Sequence, residues 1–449
     1  MQALLRCLLS LAFFSTATTV ATKHHKLLLI SFDGFRYDYA NEEPMFPAFQ
    51  YLNANGVRAK YLQGAFPTLT SPSHMSIATG LYTESHNVVH NCHYNMSVGH
   101  QGSDFLSTLP VNYWWDTGVE PIWIAAVNQG LKSGGYMFPG SYATINGVSA
   151  TKKVLQKQFM PYSQRSWQNR ISTVVGWLKD EDMDFVALYF EEPDTLSHEL
   201  GPDSKRVRYD VKSWVSNTIM HLLKKVEDAG LTDDLNIIFL SDHGHIPINT
   251  TVGHDDAVSL SKHINIDDID FQFCNGPIGL IEPKPGRLVS VYQALKGQSN
   301  VRVYYKEEIP ERWHLKGSDR IPSIIVVGEP GYFVFWKFPG YHPTRGDHGY
   351  DNKLVNMRAF YYSIGPSFKK NYVVDGFESV HIYPLMCHLL GIQPAPNNGS
   401  LDVLLKTLVS DTDVPSVTVY LAVLIIVCIA MYFVYCKTRK GAKGKHKGV

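Results

Sequence analysis

The chain has 449 residues, of which 45% are hydrophobic, and its 41 Lys and Arg residues balance 41 Asp and Glu residues. Seven of the cations lie near the chain ends, as Arg6 and as six residues between positions 437 and 447, so the remainder has seven more acidic than basic residues. That excess excludes nucleic acid as an expected partner, because binding to a phosphate backbone needs a basic surface.

The first 22 residues have the pattern of a secretory signal peptide. Arg6 precedes a short apolar run at residues 8–14, and small residues follow around Ala17 and Ala21. The apolar run is too short to span a bilayer, so we expect the segment 1–22 to be a cleaved signal.

Short runs rich in β-branched and aromatic residues predict buried strands at Lys26–Phe32, Phe185–Phe190, 236–241 and Val301–Tyr305. Apolar residues at helical spacing predict helices at 72–81, 167–179 and 207–231. This alternation predicts an α/β fold, with a mostly parallel sheet covered by helices on both faces.

No linker is evident before residue 405, so residues 23–404 are predicted to form one catalytic domain. The stretch 247–338 is less regular and contains the proline-rich segment 282–286 (EPKPG). We expect an insertion there that shapes the pocket, and its fold stays open. No oligomeric partner is indicated, and a monomer is expected.

The end of the chain predicts a membrane anchor. Residues 405–416 resemble a short stalk, residues 417–435 carry no formal charge, and residues 436–449 form a basic tail. By the positive-inside rule, we expect a single-pass type I protein of the plasma membrane with an extracellular catalytic domain. A glycolipid-anchor signal would end on an apolar tail, which this chain does not have.

Three cysteines, Cys92, Cys274 and Cys387, lie between the predicted signal and the predicted span. Their odd number allows at most one disulfide, with the pairing open, so a hydrophobic core must hold the domain. Glycosylation sequons begin at Asn95, Asn249 and Asn398, which suits an extracellular location.

Carboxylate and imidazole side chains follow three of the predicted strands, and one more imidazole lies in the turn-like segment 346–350 (GDHGY). The set is Asp33, Asp194, His198, Asp242, His243 and His348. A single Asp at a strand end is usually a turn or cap residue. Because the carboxyl ends of parallel strands meet at one edge of a sheet, this set together predicts a metal cradle of the kind found in two-metal hydrolases.

Thr70 lies where the helix at 72–81 is expected to begin. At a helix N-terminus the backbone N–H groups and the helix dipole favour negative charge, so a phosphate can dock and an alkoxide forms at lower cost. A metal would complete the activation of this weakly acidic hydroxyl. Taken alone, Thr70 would be interpreted as an N-cap; beside the metal ligands, it is predicted to be a nucleophile.

Five segments resemble the ecto-nucleotide pyrophosphatase/phosphodiesterase family of the alkaline phosphatase superfamily. They are residues 31–36 (SFDGFR), 70–80 (TSPSHMSIATG), 191–198 (EEPDTLSH), 241–244 (SDHG) and 348–352 (HGYDN). The resemblance implies an alkaline-phosphatase-like core with two Zn²⁺ ions. It places Asp194, His198 and His348 on one ion, and Asp33, Thr70, Asp242 and His243 on the other. Asn91 matches the family Asn that hydrogen-bonds the phosphoryl oxygen; taken alone, it would be a turn residue.

The other histidines are expected to be structural. His74, His86, His90 and His245 are not predicted to be ligands, and His381, which matches a family histidine, is predicted at most to support a ligand from outside the metal sphere.

The residues around Thr70 bear on the substrate. Nucleotide-cleaving members carry an aromatic residue directly after the nucleophile, and here that position is Ser71. Losing a base-stacking ring removes roughly 1–3 kcal/mol. The loop also resembles the sulfatase pattern, but Thr70 and His74 replace its modifiable Cys or Ser and its Arg.

The resemblance is strongest to the sphingomyelin-cleaving branch of the family. It implies that Phe138, Tyr162 and Phe271 contact choline, whose quaternary ammonium favours an aromatic cage. Core packing is the alternative role for each ring. We therefore expect a zinc phosphodiesterase that cleaves sphingomyelin, or other choline phospholipids, to ceramide and phosphocholine through a phospho-threonine. The alternatives are a nucleotide phosphodiesterase or pyrophosphatase, and a catalytically silent surface protein of the same fold.

Overall fold

A computed structural model of the chain describes residues 24–41, 46–98, 100–248, 257–337 and 344–410. The strands are β1 Lys26–Phe32, β2 Val57–Ala59, β3 Leu62–Gln63, β4 Tyr94–Asn95, β5 His100–Gln101, β6 Ser133–Tyr136, β7 Lys152–Val154, β8 Phe185–Phe190, β9 Leu235–Leu240, β10 Ile246–Pro247, β11 Ala257–Ser259, β12 Ile269–Gly276, β13 Ile278–Pro283, β14 Val301–Tyr305, β15 Ile324–Gly328, β16 Phe333–Phe335, β17 Gly346–Asp347, β18 Tyr361–Ile364, β19 Tyr372–Val374 and β20 Phe377–Glu378.

The helices are α1 Pro47–Asn55, α2 Thr70–Thr79, α3 Thr83–His86, α4 Phe105–Thr108, α5 Asn112–Trp115, α6 Ile122–Asn128, α7 Gln164–Lys179, α8 Asp194–Leu200, α9 Lys212–Asp228, α10 Leu288–Leu295, α11 Ile382–Leu390 and α12 Asp402–Leu405. A π-helical segment, Arg206–Val211, runs directly into α9. Short 3-10 turns occur at Tyr39–Asn41, Met96–Val98, Leu260–Lys262, Ile266–Asp268, Lys306–Glu308, Glu311–Trp313, Val355–Met357 and Ser379–His381.

The main sheet has eight strands in the order β19-β2-β18-β9-β1-β8-β6-β7. The central strand β1 pairs in parallel with β8 on one side and β9 on the other. Only β18 runs antiparallel to both of its neighbours, so the predicted mostly parallel sheet is confirmed.

Alternate residues of β1 face two different hydrophobic clusters. Leu27 and Leu29 pack with residues of α2, α6 and α11, whereas Leu28 and Ile30 pack with residues of α7 and α9. Because side chains alternate between the faces of a strand, helices cover both faces of the sheet. The α/β fold with helices on both faces is therefore confirmed.

The region that the sequence left open forms a second sheet of six strands, in the order β11-β16-β12-β13-β15-β14. Its strands are mostly antiparallel, and α10 packs on it around Val291 and Leu295. Strand β10 lies in the loop that follows β9. It pairs with β17, which directly precedes His348, in a two-stranded ribbon.

The last described residues still pack on the α/β domain beyond the boundary predicted at residue 405. Leu408 is buried, and the Val409 N–H donates to the Ser367 carbonyl at 2.9 Å. The predicted signal at 1–22, the membrane span at 417–435 and the basic tail at 436–449 lie outside the described residues. Within the described part, no helix is long and apolar enough to cross a bilayer.

Candidate active site

The predicted ligands meet at the carboxyl edge of the central strands. Asp33 follows β1, Asp242 and His243 follow β9 by two and three residues, and α8 begins at Asp194 just beyond β8. Parallel strands bring these ends to one side of the sheet. The side chains of Asp194 and His198 lie on the same face of α8, since they are four residues apart in a helix.

The candidate ligands form two groups. Within each group, the metal-binding atoms lie within 4.8 Å of one another. One group contains Asp33, Asp242 and His243, and the other contains Asp194, His198, His245 and His348. His243 and His348 connect the groups, because their rings stack with centroids 3.5 Å apart. The two groups are therefore adjacent halves of one site.

The two halves differ in their access to solvent. The side chains of Asp242 and His243 have no exposed surface, whereas 32% of the His198 side chain is exposed. Asp194 is 14% exposed. The site is therefore most open to solvent at His198.

Each carboxylate of the buried half has one oxygen held by the protein and one without a hydrogen bond. The Tyr189 hydroxyl donates to Asp33 Oδ2, while Asp33 Oδ1 is buried without a partner. Asp242 Oδ1 accepts from the N–H groups of Gly34 and His243 at 3.2 and 3.0 Å, while Asp242 Oδ2 has no hydrogen-bond partner. A buried anionic oxygen without a partner is costly, and a cation between these two oxygens would satisfy both.

The predicted imidazole ligands share one arrangement. His198 Nδ1 donates to the Gly346 carbonyl at 2.8 Å, and His348 Nδ1 donates to the Thr68 carbonyl at 2.8 Å. His243 Nδ1 donates to the Gly244 carbonyl at 3.1 Å. An Nδ1–H group held by a carbonyl leaves the Nε2 lone pair free for a metal, as is usual for metal-bound histidine.

The spacing of the ligand atoms fits tetrahedral zinc. Ligand atoms about 2.0–2.1 Å from a tetrahedral Zn²⁺ lie about 3.3 Å from one another. His243 Nε2 is 3.3 Å from Asp33 Oδ1 and 3.1 Å from Asp242 Oδ2. Asp194 Oδ1 is 3.3 Å from His348 Nε2, and Asp194 Oδ2 is 3.4 Å from His198 Nε2. The residues present therefore fit two zinc ions.

Charge at the site also favours cations. Burial, together with Asp242 and Asp194, raises the pKa of Asp33 well above its usual range. Burial opposes ionisation of Asp194 as well, but the neighbouring His198 holds its pKa well below its usual range. Burial lowers the pKa of His348, and the neighbouring His243 lowers it further. A lowered pKa keeps His348 neutral, which is its metal-binding state, whereas the raised pKa of Asp33 reflects carboxylate crowding that a bound divalent cation would relieve.

Thr70 is the first residue of α2 rather than its cap, since the N-cap is Leu69. Its Oγ1 lies 3.5 Å from His243 Nε2 and 3.4 Å from Asn91 Nδ2. Asn91 Oδ1 in turn accepts from the Ser71 N–H at 2.7 Å. The structure thus brings the predicted nucleophile and the predicted phosphoryl-binding amide together beside the buried half of the site.

The amides at the start of α2 are less available than the sequence suggests. The Ser71 N–H donates to Asn91, Pro72 has no N–H, and the Ser73 N–H donates to the Leu69 carbonyl at 3.0 Å. Asn91 Nδ2 therefore replaces the Ser71 amide as a donor directed at the region of the Thr70 hydroxyl.

The three predicted choline-contacting rings lie in different surroundings. Phe138 is 2% exposed and packs edge-on against His74, and Phe271 is 5% exposed and lies 5.2 Å from the Tyr94 ring. Tyr162 is partly exposed and stacks on Trp214 at 4.0 Å. No ring contact found within the described residues joins two of the three.

Three residues at the site were missed from the sequence. His74 was expected to be structural, but its Nδ1 lies 2.8 Å from the Thr70 carbonyl and 3.4 Å from Asp242 Oδ2. His245 is fully buried, and its Nε2 lies 2.6 Å from Asp194 Oδ1, so it belongs to the site although it was expected to be structural. Its position two residues after His243 was the available signal. Tyr189, which holds Asp33, could have been found because a tyrosine in a buried strand needs a partner for its hydroxyl.

The remaining predicted residues lie elsewhere. His86 bonds to Ser76, His90 packs on Phe273, and His381 Nδ1 accepts from the Ser400 N–H. Cys92, Cys274 and Cys387 are all unpaired. Asn95 and Asn398 are exposed, and Asn249 lies outside the described residues.

The chain matches known proteins over most of its length. Residues 27–351 match the family "Type I phosphodiesterase / nucleotide pyrophosphatase". Ectonucleotide pyrophosphatase/phosphodiesterase family member 7 of Homo sapiens is 39% identical, over 87% of this chain and 85% of that protein. The bis(5'-adenosyl)-triphosphatase of Mus musculus is 37% identical, over 84% of this chain and 80% of that protein.

A solved structure also matches the fold. It is murine ectonucleotide pyrophosphatase/phosphodiesterase 5 in an inactive threonine-to-alanine form in complex with AMP. That structure is 32% identical with a TM-score of 0.76, and the match covers 86% of this chain and all of that one.

Proposed function

We propose that this chain, which belongs to the type I phosphodiesterase / nucleotide pyrophosphatase family, is a two-zinc phospholipase C that cleaves choline phospholipids. Sphingomyelin is the proposed substrate, and ceramide and phosphocholine are the products. The observation that carries the proposal is the position of Thr70 Oγ1, 3.5 Å from His243 Nε2 and 3.4 Å from Asn91 Nδ2, beside two ligand groups.

The proposed reaction proceeds through Thr70. Its Oγ1 attacks phosphorus, the bond from phosphorus to the lipid oxygen breaks, and phosphocholine is left esterified to the threonine. Water then cleaves the phospho-threonine and releases phosphocholine. Zinc, when bound, would lower the pKa of the threonine hydroxyl and stabilise the attacking and leaving oxygens of the in-line displacement.

Asn91 acts on the phosphoryl group. Because its Oδ1 is held by the Ser71 N–H, its Nδ2 faces Thr70 Oγ1, the proposed nucleophile. There it donates to a non-bridging phosphoryl oxygen, where negative charge accumulates as the nucleophile attacks.

The residue directly after the nucleophile favours a choline headgroup over a nucleobase. Ser71 is fully buried and offers no ring face on which a nucleobase could stack. Tyr162 is the most exposed of the three candidate cage rings, and it packs on Trp167, which contacts Phe190 at the end of β8. Two ring contacts thus link Tyr162 to Phe190, while Phe138 and Phe271 belong to a different hydrophobic cluster.

The second candidate is a nucleotide phosphodiesterase. One relative is named a bis(5'-adenosyl)-triphosphatase, and the solved relative is described as a complex with AMP. A catalytically silent protein is less well supported, because all six ligands, Thr70 and Asn91 are present with consistent geometry.

The proposed location is the plasma membrane, with the catalytic domain outside the cell. This rests on the signal-like residues 1–22, the uncharged residues 417–435 and the basic tail 436–449. Such an anchor would hold the site close to a lipid surface.

The proposal is tested by comparing the hydrolysis of two substrates by one enzyme preparation whose zinc content has been measured. A higher kcat/KM for sphingomyelin than for a nucleotide diester supports the lipid assignment. A nucleotide preference of tenfold or more rejects the lipid and retains the phosphodiesterase, whereas turnover of neither substrate favours the silent protein.

A further inference from the structure

His245 has no place in the predicted ligand set, yet it lies inside the more exposed half of the site. Its side chain is fully buried, and its Nε2 lies 2.6 Å from Asp194 Oδ1. Its ring centroid is 4.9 Å from that of His198 and 5.0 Å from that of His348. The residue could therefore be a further ligand of the ion or a partner of a ligand.

The distances separate these two roles. The proposed ligand atoms around Asp194 are 3.3 Å and 3.4 Å from its oxygens, as expected for neighbours on a tetrahedral Zn²⁺ at about 3.3 Å. The 2.6 Å contact of His245 is too short for two ligands of one tetrahedral ion. It has instead the length of a strong N–H···O bond to a carboxylate.

The second ring nitrogen supports the same role. His198, His243 and His348 each donate from Nδ1 to a backbone carbonyl, which leaves Nε2 free. His245 has the opposite arrangement, because its Nε2 contacts the carboxylate while its Nδ1 is buried without a partner. Its proton is therefore best placed on Nε2, as a donor to Asp194.

The backbone around the site explains how His245 comes to contact Asp194. His245 directly precedes β10, which pairs with β17, and β17 supplies the Gly346 carbonyl that holds His198. On the other side, Gly34 has φ +67, and a Cβ there would come within 2.9 Å of Asp194 Cα and 3.0 Å of His245 Cδ2. The absence of a side chain at Gly34 leaves room for the two residues to meet.

We propose that His245 is a positioning residue, which donates a hydrogen bond to Asp194 Oδ1 and orients that carboxylate toward the metal ion shared with His198 and His348. This inference rests on the proposed two-zinc function. Partners of this kind commonly change metal affinity by about 10–100-fold. The effect of His245 is confined to the half of the site that contains Asp194.

The test measures zinc affinity by competition with a chromophoric chelator, on the purified full-length chain, for His245→Ala and His245→Gln. Gln carries an N–H close to the position of the histidine Nε2, whereas Ala does not. We expect His245→Ala to weaken one of the two zinc sites by about 10–100-fold while the second stays unchanged. His245→Gln should restore most of the lost affinity.

His86→Gln is the matched control, because His86 is also fully buried but bonds to Ser76 outside the ligand groups. It should keep wild-type affinity at both sites. If His245→Ala fails to fold, His245→Leu removes the N–H while keeping a larger side chain, and it is measured in the same way.

The outcomes are distinct. Unchanged affinity in His245→Ala overturns the positioning role. Complete loss of one zinc in both His245→Ala and His245→Gln also overturns it, and makes His245 a ligand. A wild-type protein that binds no zinc contradicts the proposed function itself.

Discussion

The side-chain amide of Asn91 connects the proposed nucleophile to its own helix. Asn91 Nδ2 lies 3.4 Å from Thr70 Oγ1, while Asn91 Oδ1 accepts from the Ser71 N–H at 2.7 Å. The second contact fixes which end of the amide faces Thr70. The amide that we propose as the phosphoryl-group donor is thus preorganised before a substrate binds.

Asn91→Asp should therefore lower kcat strongly, because it replaces the donor by an acceptor of nearly the same shape. Loss of one preorganised donor to a developing oxyanion costs about 10²–10³-fold in kcat. Steady-state kinetics with a chromogenic choline phosphodiester measure the change in kcat. Zinc content should stay at the wild-type value, and a change of less than about threefold in kcat would show that Asn91 does not bind the phosphoryl group.

His348→Ala should remove one zinc of two. His348 contributes to the half of the site that contains Asp194, while Asp33, Asp242 and His243 are left intact. Elemental analysis of the purified protein should approach about two zincs per chain for wild type and one for the variant, which should also be inactive.

His381→Ala is the control for that experiment, because His381 bonds to the Ser400 N–H, away from the ligand groups. It should keep both zincs. Full hydrolytic activity in a zinc-free wild-type preparation would refute the metal assignment.

The free energy of unfolding should fall in acid partly because of His86. Its Nδ1 accepts from the Val88 N–H and its Nε2 bonds to Ser76 Oγ, so the folded protein requires the neutral ring. Burial lowers the pKa of His86 to about 3, against about 6.5 in an unfolded chain. Because the folded pKa is the lower one, this stability is present above about pH 6.5 and is lost as pH falls from there toward 3.

Thermal or urea unfolding from pH 7.5 to 4.5 measures that dependence. His86→Gln stays neutral, so its free energy of unfolding should fall less steeply in acid than that of wild type. The two slopes should differ by up to about 1.4 kcal/mol for each pH unit. The exposed His263→Gln should follow wild type. Equal slopes for wild type and His86→Gln would refute the prediction.

Tyr162→Leu should weaken turnover of choline substrates more than that of other phosphodiesters. Tyr162 is partly exposed, so it can be replaced with less damage than Phe138 or Phe271, whose removal from the core would cost about 3–5 kcal/mol. Loss of a cation–π contact of roughly 1–2 kcal/mol corresponds to about five- to thirtyfold in kcat/KM. A small phosphodiester without choline should be almost unaffected, and an equal loss on both substrates would remove Tyr162 from the headgroup site.

Much of the fold and site could be predicted because each depends on local pattern. The strands Lys26–Phe32 and Phe185–Phe190 have the bounds that their apolar runs predict. The proximity of Asp33 and Asp242 could be predicted from one rule, that the carboxyl ends of parallel strands lie at a common edge of the sheet. Helix α8 then places Asp194 and His198 one turn apart, as their spacing predicts.

The features that could not be predicted depend on contacts between distant segments. The six-stranded sheet pairs β11 with β16, so residues near 258 meet residues near 334, and no local pattern specifies that pairing. His245 meets Asp194 where the β10–β17 ribbon packs against α8, far from both residues' local sequence patterns. The burial of Phe138 and Phe271 could not be predicted either, since an aromatic residue in a sequence can belong to a core or to a binding site.

Trapping of the covalent intermediate tests the central claim most directly. A chromogenic choline phosphodiester is mixed with the zinc-loaded protein, and the reaction is quenched in acid during turnover. The peptide that contains Thr70 is then analysed by mass spectrometry. We predict phosphocholine esterified to Thr70, no adduct in Thr70→Ala, and less than about a tenth of wild-type turnover in that variant. Turnover by Thr70→Ala close to that of wild type, or rapid wild-type turnover with the adduct on a different residue, would contradict the account.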